Sequence, residues 1–142
     1  MPTRAEILKI AREYQGTPYR HRGASLDGID CANFIVQVGK RAGCLPASLE
    51  LPLYNPRPDP ELFELVLAYG DPIPLSEARP GDVLVLCHPE RGPAPQHLAI
   101  KTDDGMIQVF PGLSIRKVCE HNIDAEWEEA IIGAYRFRGV TD

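Results

Sequence analysis

Apolar residues recur at helical spacing in the first part of the chain and alternate in short runs in the second, and that change predicts the fold class. Ile7, Leu8, Ala11 and Tyr14 share one face of a helix predicted over residues 3–14. Thr3 and Glu6 have capping-box spacing at its start, and Gly16 and Pro18 end it. A polar, glycine-containing loop is expected over residues 20–29. Phe34, Ile35, Val38 and Ala42 form the apolar stripe of a second helix, which starts near Asp30 and stops before Gly43. Residues 45–60 carry five prolines, which predicts a rigid, extended connection. A third helix is expected over 60–68, with Pro60 in its first turn and Gly70 closing it.

Beyond that point the period falls to two. Residues 82–87, 97–102, 106–110, 115–118 and 131–137 read as short strands, and 125–129 as a turn of helix. Asp103-Asp104-Gly105 is a hairpin signal between two of the strands. Helices first and meandering strands second predict an α+β domain with an antiparallel sheet of five to six strands.

Length and charge narrow the function classes. A chain of 142 residues suits one domain, residues 1–142, with a core of ordinary size. A net charge of −5, with no basic run longer than two residues, argues against a nucleic-acid partner. No apolar stretch approaches the ~18 residues that span a bilayer, so no membrane insertion is expected. Residues 1–6 lack the apolar region of a secretory signal, so the expectation is cytoplasmic synthesis and delivery by other means.

The four cysteines, Cys31, Cys44, Cys87 and Cys119, include no C-x-x-C pair and are expected to be free thiols. Cys31 differs from the others. It follows Asp30, a good N-cap residue, and so sits in the first turn of a helix. There, unpaired N–H groups and the helix dipole favour an anion, which is expected to lower the thiol pKa. The same N–H groups suit a developing oxyanion. A cysteine nucleophile also needs a base, and the base needs an orienting group. His97 opens a strand after the loop 89–96 and is the candidate base. Gln108, on the next strand, has an amide oxygen able to accept from the imidazole; His121 is the alternative for that role. His21 and His88 are expected at the surface.

Four segments then fall into one pattern: Gly16-Thr17-Pro18-Tyr19, Gly28-Ile29-Asp30-Cys31, Pro80-Gly81-Asp82 and His97-Leu98-Ala99-Ile100. In order and spacing they resemble the NlpC/P60 cysteine peptidases, over residues 11–138 and closest to short phage-type members. The resemblance implies a papain-like core and a Cys–His–polar triad of Cys31, His97 and Gln108. It implies hydrolysis of peptidoglycan stem peptides, typically between γ-D-glutamyl and the diamino acid, without metal or other cofactor. Tyr19 and Asp30 would line the substrate site, with Asp30 near the substrate's amino group. Ala32 and Asn33 stand where the family usually has Ser-Gly beside the substrate. The implied partners are the peptidoglycan peptide and, for a phage-type protein, phage tail proteins. The alternative is a structural tail or injection component with activity weakened or lost.

Two other constellations are weaker. Cys119-Glu120-His121 copies the nucleophile motif of a permuted relative, but lies at a strand end and only 22 positions after His97. Cys87, His88, Cys119 and His121 have zinc-ligand chemistry. Adjacent residues on a strand point to opposite faces, so Cys87 and His88 do not converge on one metal.

Overall fold

The computed structural model describes residues 2–56, 59–87, 94–109 and 116–142. Three helices lead: α1 (Arg4–Glu13), α2 (Cys31–Arg41) and α3 (Pro60–Leu67). Between the first two lies a small hairpin, β1 (Ala24–Ser25) and β2 (Gly28–Ile29), inside the segment expected to be loop. Strands β3 (Gly70–Ile73), β4 (Val83–Leu86), β5 (His97–Lys101), β6 (Gly105–Gln108), β7 (Cys119–Asn122) and β8 (Ile131–Phe137) follow. A one-turn 3-10 helix at Leu75–Glu77 precedes β4, and α4 (Ala125–Ala130) precedes β8. The six strands form one antiparallel sheet in the order β3-β8-β4-β5-β6-β7. The expected α+β class is observed.

The helices end where capping chemistry ends them. Thr3 accepts from the Glu6 N–H at the start of α1, and Asp30 accepts from the Asn33 N–H at the start of α2. Gly43, beyond α2, has φ +81°, a conformation that glycine adopts without steric cost.

Alternation on the strands divides the apolar residues between two layers. Val83, Val85, Leu98, Ile100 and Ile107 bury against Ile7, Phe34, Ile35, Val38 and Phe63 of the helices. Leu84, Leu86, Ala99, Met106 and Ala134 bury on the other face, with Trp127 and Ile131 packed against them. Helix α2 lies across β5, so its N-terminal residue Cys31 is carried to the start of that strand's face.

Two strands depart from the sequence expectation. Gly70 does not merely close α3; it opens β3, whose Pro72 pairs with Tyr135. Proline is tolerated there because β3 is an edge strand. No strand covers 116–118, where one was expected over 115–118; Lys117 makes only an isolated bridge to Pro18. The strand lies further on, at Cys119-Glu120-His121-Asn122, a polar edge with little strand propensity. Pro58, Phe110, Ile115 and His88, with 89–93 of the expected loop 89–96, lie outside the described residues.

The Pro80-Gly81-Asp82 segment is structural. The Asp82 carboxylate is 1% exposed and accepts from Arg4 Nη1 at 3.0 Å, Arg136 Nη2 at 2.9 Å and the Arg79 N–H at 2.8 Å. It ties α1, the turn before β4 and the end of β8 together. Asp82→Asn leaves a buried guanidinium without its counter-charge, which is expected to cost about 3 kcal/mol. Thermal denaturation should show a melting temperature lower by about 10 °C.

Candidate active site

Asp30 fixes the surroundings of Cys31. Its Oδ1 accepts from the Asn33 N–H at 2.9 Å, which caps α2. Its Oδ2 accepts from the Arg22 N–H at 2.8 Å and from the Tyr54 hydroxyl. Tyr54 in turn accepts from Asn33 Nδ2 at 3.1 Å. The carboxylate is therefore buried and held by three donors from three segments. Sequence reasoning missed Tyr54, the aromatic residue among the prolines of 45–60, and Arg22.

Cys31 begins α2 and is half-buried. Its sulfur lies among the backbone N–H groups of Leu98, Ala32 and Cys31 itself. Leu98 follows His97, so the thiol meets β5 beside the candidate base. The expectation of a lowered thiol pKa is not met. Burial, and then the Asp30 charge, push the thiol up to about 12. The N–H groups pull it back, but less strongly. Desolvation of a thiolate outweighs one helix N-terminus when a carboxylate stands next to it.

His97 is 5% exposed, and burial pushes it down to about 4. The Gln108 hydrogen bond opposes that shift, and the neighbouring His121 adds to it. Thiol and imidazole are thus both neutral at rest near neutral pH.

Gln108 holds the ring. His97 Nε2 and Gln108 Oε1 are 2.5 Å apart, and Gln108 Nε2 and His121 Nε2 are also 2.5 Å apart. His121 Nδ1 is 2.9 Å from the carbonyl oxygen of Asn122. A carbonyl only accepts, so His121 Nδ1 carries a proton, and in the singly protonated ring Nε2 is then the acceptor. Gln108 must donate its amide N–H there, which turns its oxygen to His97. That oxygen only accepts, so His97 carries its proton on Nε2, and Nδ1 is the nitrogen able to take another. Polarity runs in one direction from a backbone carbonyl to His97. Gln108 is fully buried, and His121 rests against Trp127 with ring centroids 5.3 Å apart. The choice between Gln108 and His121 resolves as a sequence: Gln108 touches His97, and His121 touches Gln108.

The close approach of β7 depends on Gly105. A Cβ built there would lie 1.9 Å from the His121 carbonyl oxygen, so no larger residue fits without moving the strand that carries His121.

Tyr19 is half-buried beside Cys31 and Asp30. Burial and the Asp30 charge raise its pKa, so it remains a neutral phenol. The Arg116 guanidinium lies 5.9 Å from its ring centroid. Ala32 is buried and reaches the site through its N–H; Asn33 reaches it through Tyr54. Among the described residues no group of three or more His, Cys, Asp or Glu side chains is arranged to hold a metal, and no helix is long and apolar enough to cross a membrane.

No protein-family model matches the sequence, and no curated protein does. Solved structures do match. The NlpC/p60 domain of peptidoglycan hydrolase SagA is 25% identical over 94% of this chain and 97% of its own, with a TM-score of 0.65. An NlpC/P60 family protein from Bacillus cereus is 22% identical with a TM-score of 0.72, over 96% of this chain and 40% of its own. RipD from Mycobacterium tuberculosis, a non-catalytic NlpC/p60 domain protein adapted to peptidoglycan binding, is 17% identical over 94% of this chain and 95% of its own, with a TM-score of 0.60.

The chain has the NlpC/P60 fold.

In this NlpC/P60 fold, Cys31, His97 and Gln108 occupy a helix start and two adjacent strands. His97 also gives the domain a pH signature. Its pKa is about 4 folded, against about 6.5 unfolded, so the unfolded state binds more protons between those values. Stability is therefore complete above pH 6.5 and is lost as pH falls toward 4. The loss attributable to this ring is expected to be about 3 kcal/mol. Urea unfolding of wild type and His97→Gln over pH 4–7 checks it; the slope should be shallower in the variant.

Proposed function

We propose that the protein is a cysteine peptidase that cleaves peptidoglycan stem peptides, at the bond between γ-D-glutamyl and the diamino acid. The observation that carries this reading is the ordered chain from the Asn122 carbonyl through His121 and Gln108 to His97, ending beside Cys31. A buried imidazole held in one tautomer, next to a thiol at a helix start, suits acyl transfer. Similarity to the peptidoglycan hydrolase domain supports the substrate class.

The steps follow from proton positions. His97 Nδ1 takes the Cys31 proton as the sulfur attacks the amide carbonyl. Gln108 keeps the Nε2 proton in place, so the imidazolium shares its charge with the amide oxygen. The first-turn N–H groups, with Cys31's own among them, and the Tyr19 hydroxyl donate to the oxyanion. His97 then returns a proton to the leaving nitrogen, the C–N bond breaks and a thioester remains. Water, losing a proton to His97, attacks the thioester and frees the acid and the thiol.

A second reading has its own support. The thiol is held near 12 by burial and Asp30, and RipD has a non-catalytic domain of this fold. On that reading the protein binds the peptide without cutting it, as a structural component. Digestion of stem peptides by wild type and Cys31→Ala separates the two: cleavage by wild type alone supports the peptidase, and binding without cleavage supports the second reading.

A further inference from the structure

A groove of about 490 Å³ runs along α2 away from the nucleophile. Asn33, Gln37 and Lys40 form its floor, three residues at one-turn and two-turn spacing on one face of the helix. That face is about 10 Å long. The loop carrying Arg20 and Arg22 forms one wall, and residues 49–54 form the other. The walls meet at the inner end, where the His21 and Tyr54 rings pack edge to face with centroids 5.3 Å apart. Tyr54 and Asn33 are the residues that bond to Asp30 or to each other, so this end adjoins Cys31.

The groove's charge runs against that of the chain. Arg20, Arg22 and Lys40 line it, and Glu50 is its single carboxylate, whereas the whole chain carries −5. Arg4, Arg12, Arg41, Arg136 and Arg138 all make side-chain ion pairs. Arg20, Arg22 and Lys40 make none among the described residues. Two of the three are built into place. Arg22 has φ +60°, a left-handed conformation that strains an L side chain and that glycine would adopt freely. Its N–H is what Asp30 needs, and glycine would supply that equally; the side chain is extra. Arg20 lies across Gly28, where an added Cβ would come within 2.6 Å of the arginine Cβ.

We propose that this groove binds a peptide segment bearing free carboxylates, the part of the substrate that adjoins the bond cut at Cys31. The inference rests on the peptidase reading for which bond is cut, but not for binding. Unpaired cations at the walls meet the carboxylates, and the amide side chains of Asn33 and Gln37 on the floor match peptide N–H and C=O groups. Arg20 and Arg22 are exposed and Lys40 is half-buried, so their attraction for carboxylates is screened by salt.

The test uses the full-length Cys31→Ala protein and two fluorescein-labelled stem peptides, one with free carboxylates and one with them amidated. In low salt the free-carboxylate peptide should bind at least about 10-fold more tightly, and added salt should shrink the gap. Lys40→Gln and Arg22→Gly should each weaken binding of that peptide several-fold and move the amidated peptide less. Arg22→Gly removes backbone strain, so its melting temperature should not fall. Equal affinity for both peptides, or unchanged affinity in both folded variants, overturns the proposal. Cleavage by wild type is scored separately. Charge-selective binding without cleavage leaves the groove standing and removes the peptidase reading. Cleavage of both peptides with equal KM does the reverse.

Discussion

Cys31→Ala should keep the fold and lose turnover by about 10⁴-fold or more. The fold is retained because the residue's side chain is small and half-buried, and α2 is started by Asp30, not by Cys31. Turnover is lost because no other cysteine is placed to replace it. Cys44 and Cys119 have thiols raised by burial, Cys87 is buried, and Cys119 pairs with Gln108 on the neighbouring strand; of the four, Cys31 alone begins a helix, where its sulfur meets backbone N–H groups. Alanine cannot form the thioester, so only binding and oxyanion contacts remain. Single-turnover kinetics on the stem peptide, with circular dichroism to verify folding, measures the effect. Retention of even a tenth of wild-type turnover would assign the nucleophile elsewhere.

Gln108→Leu should lower kcat by about 10²- to 10³-fold and change KM little. Removing a charged orienting residue from a serine-protease triad lowers kcat by about 10⁴ through the wrong tautomer; a neutral amide stabilises the imidazolium less, so its loss matters less. Leucine leaves the buried His97 Nε2–H without the acceptor it has in the wild type. The ring can then move its proton to Nδ1, where it blocks transfer from the thiol. His121→Phe should have a smaller effect, about 10-fold, because Gln108 stays but its amide is no longer fixed by an acceptor on the far side. Nitrogen-15 NMR of the His97 ring distinguishes orientation from general damage. Wild type should show the Nε2–H form alone, and both variants a mixture. A pure Nε2–H signal in Gln108→Leu with reduced kcat would mean that Gln108 acts in some other way.

The elements were legible wherever pattern and propensity agree. The stripe of Phe34, Ile35 and Val38 and the cap at Asp30 placed α2, and with it Cys31, at the correct turn. The Asp103-Asp104-Gly105 turn placed His97 and Gln108 on neighbouring strands. What was not legible came from tertiary context. β7 is polar, and its pairing with β6, unseen in its composition, brings His121 to Gln108. β3 is hidden by its proline. Tyr54 lies 24 positions from Asp30, in a segment with no periodicity, so no local signal marks it as a partner. The thiol pKa was misread for a related reason: a helix start is a local feature, whereas burial beneath β5 and the charge of a capped Asp30 are set by the whole fold.

Formation of an acyl-enzyme on Cys31 is the central step of the proposed reaction. The decisive measurement is mass spectrometry of stem peptide incubated with wild type and with Cys31→Ala, with acid quenching to trap the intermediate. Products cut after γ-D-glutamyl, together with a thioester adduct on the peptide containing Cys31, both absent from Cys31→Ala, are the expected result. Intact peptide after incubation with folded wild type, or equal cleavage by the variant, would contradict it.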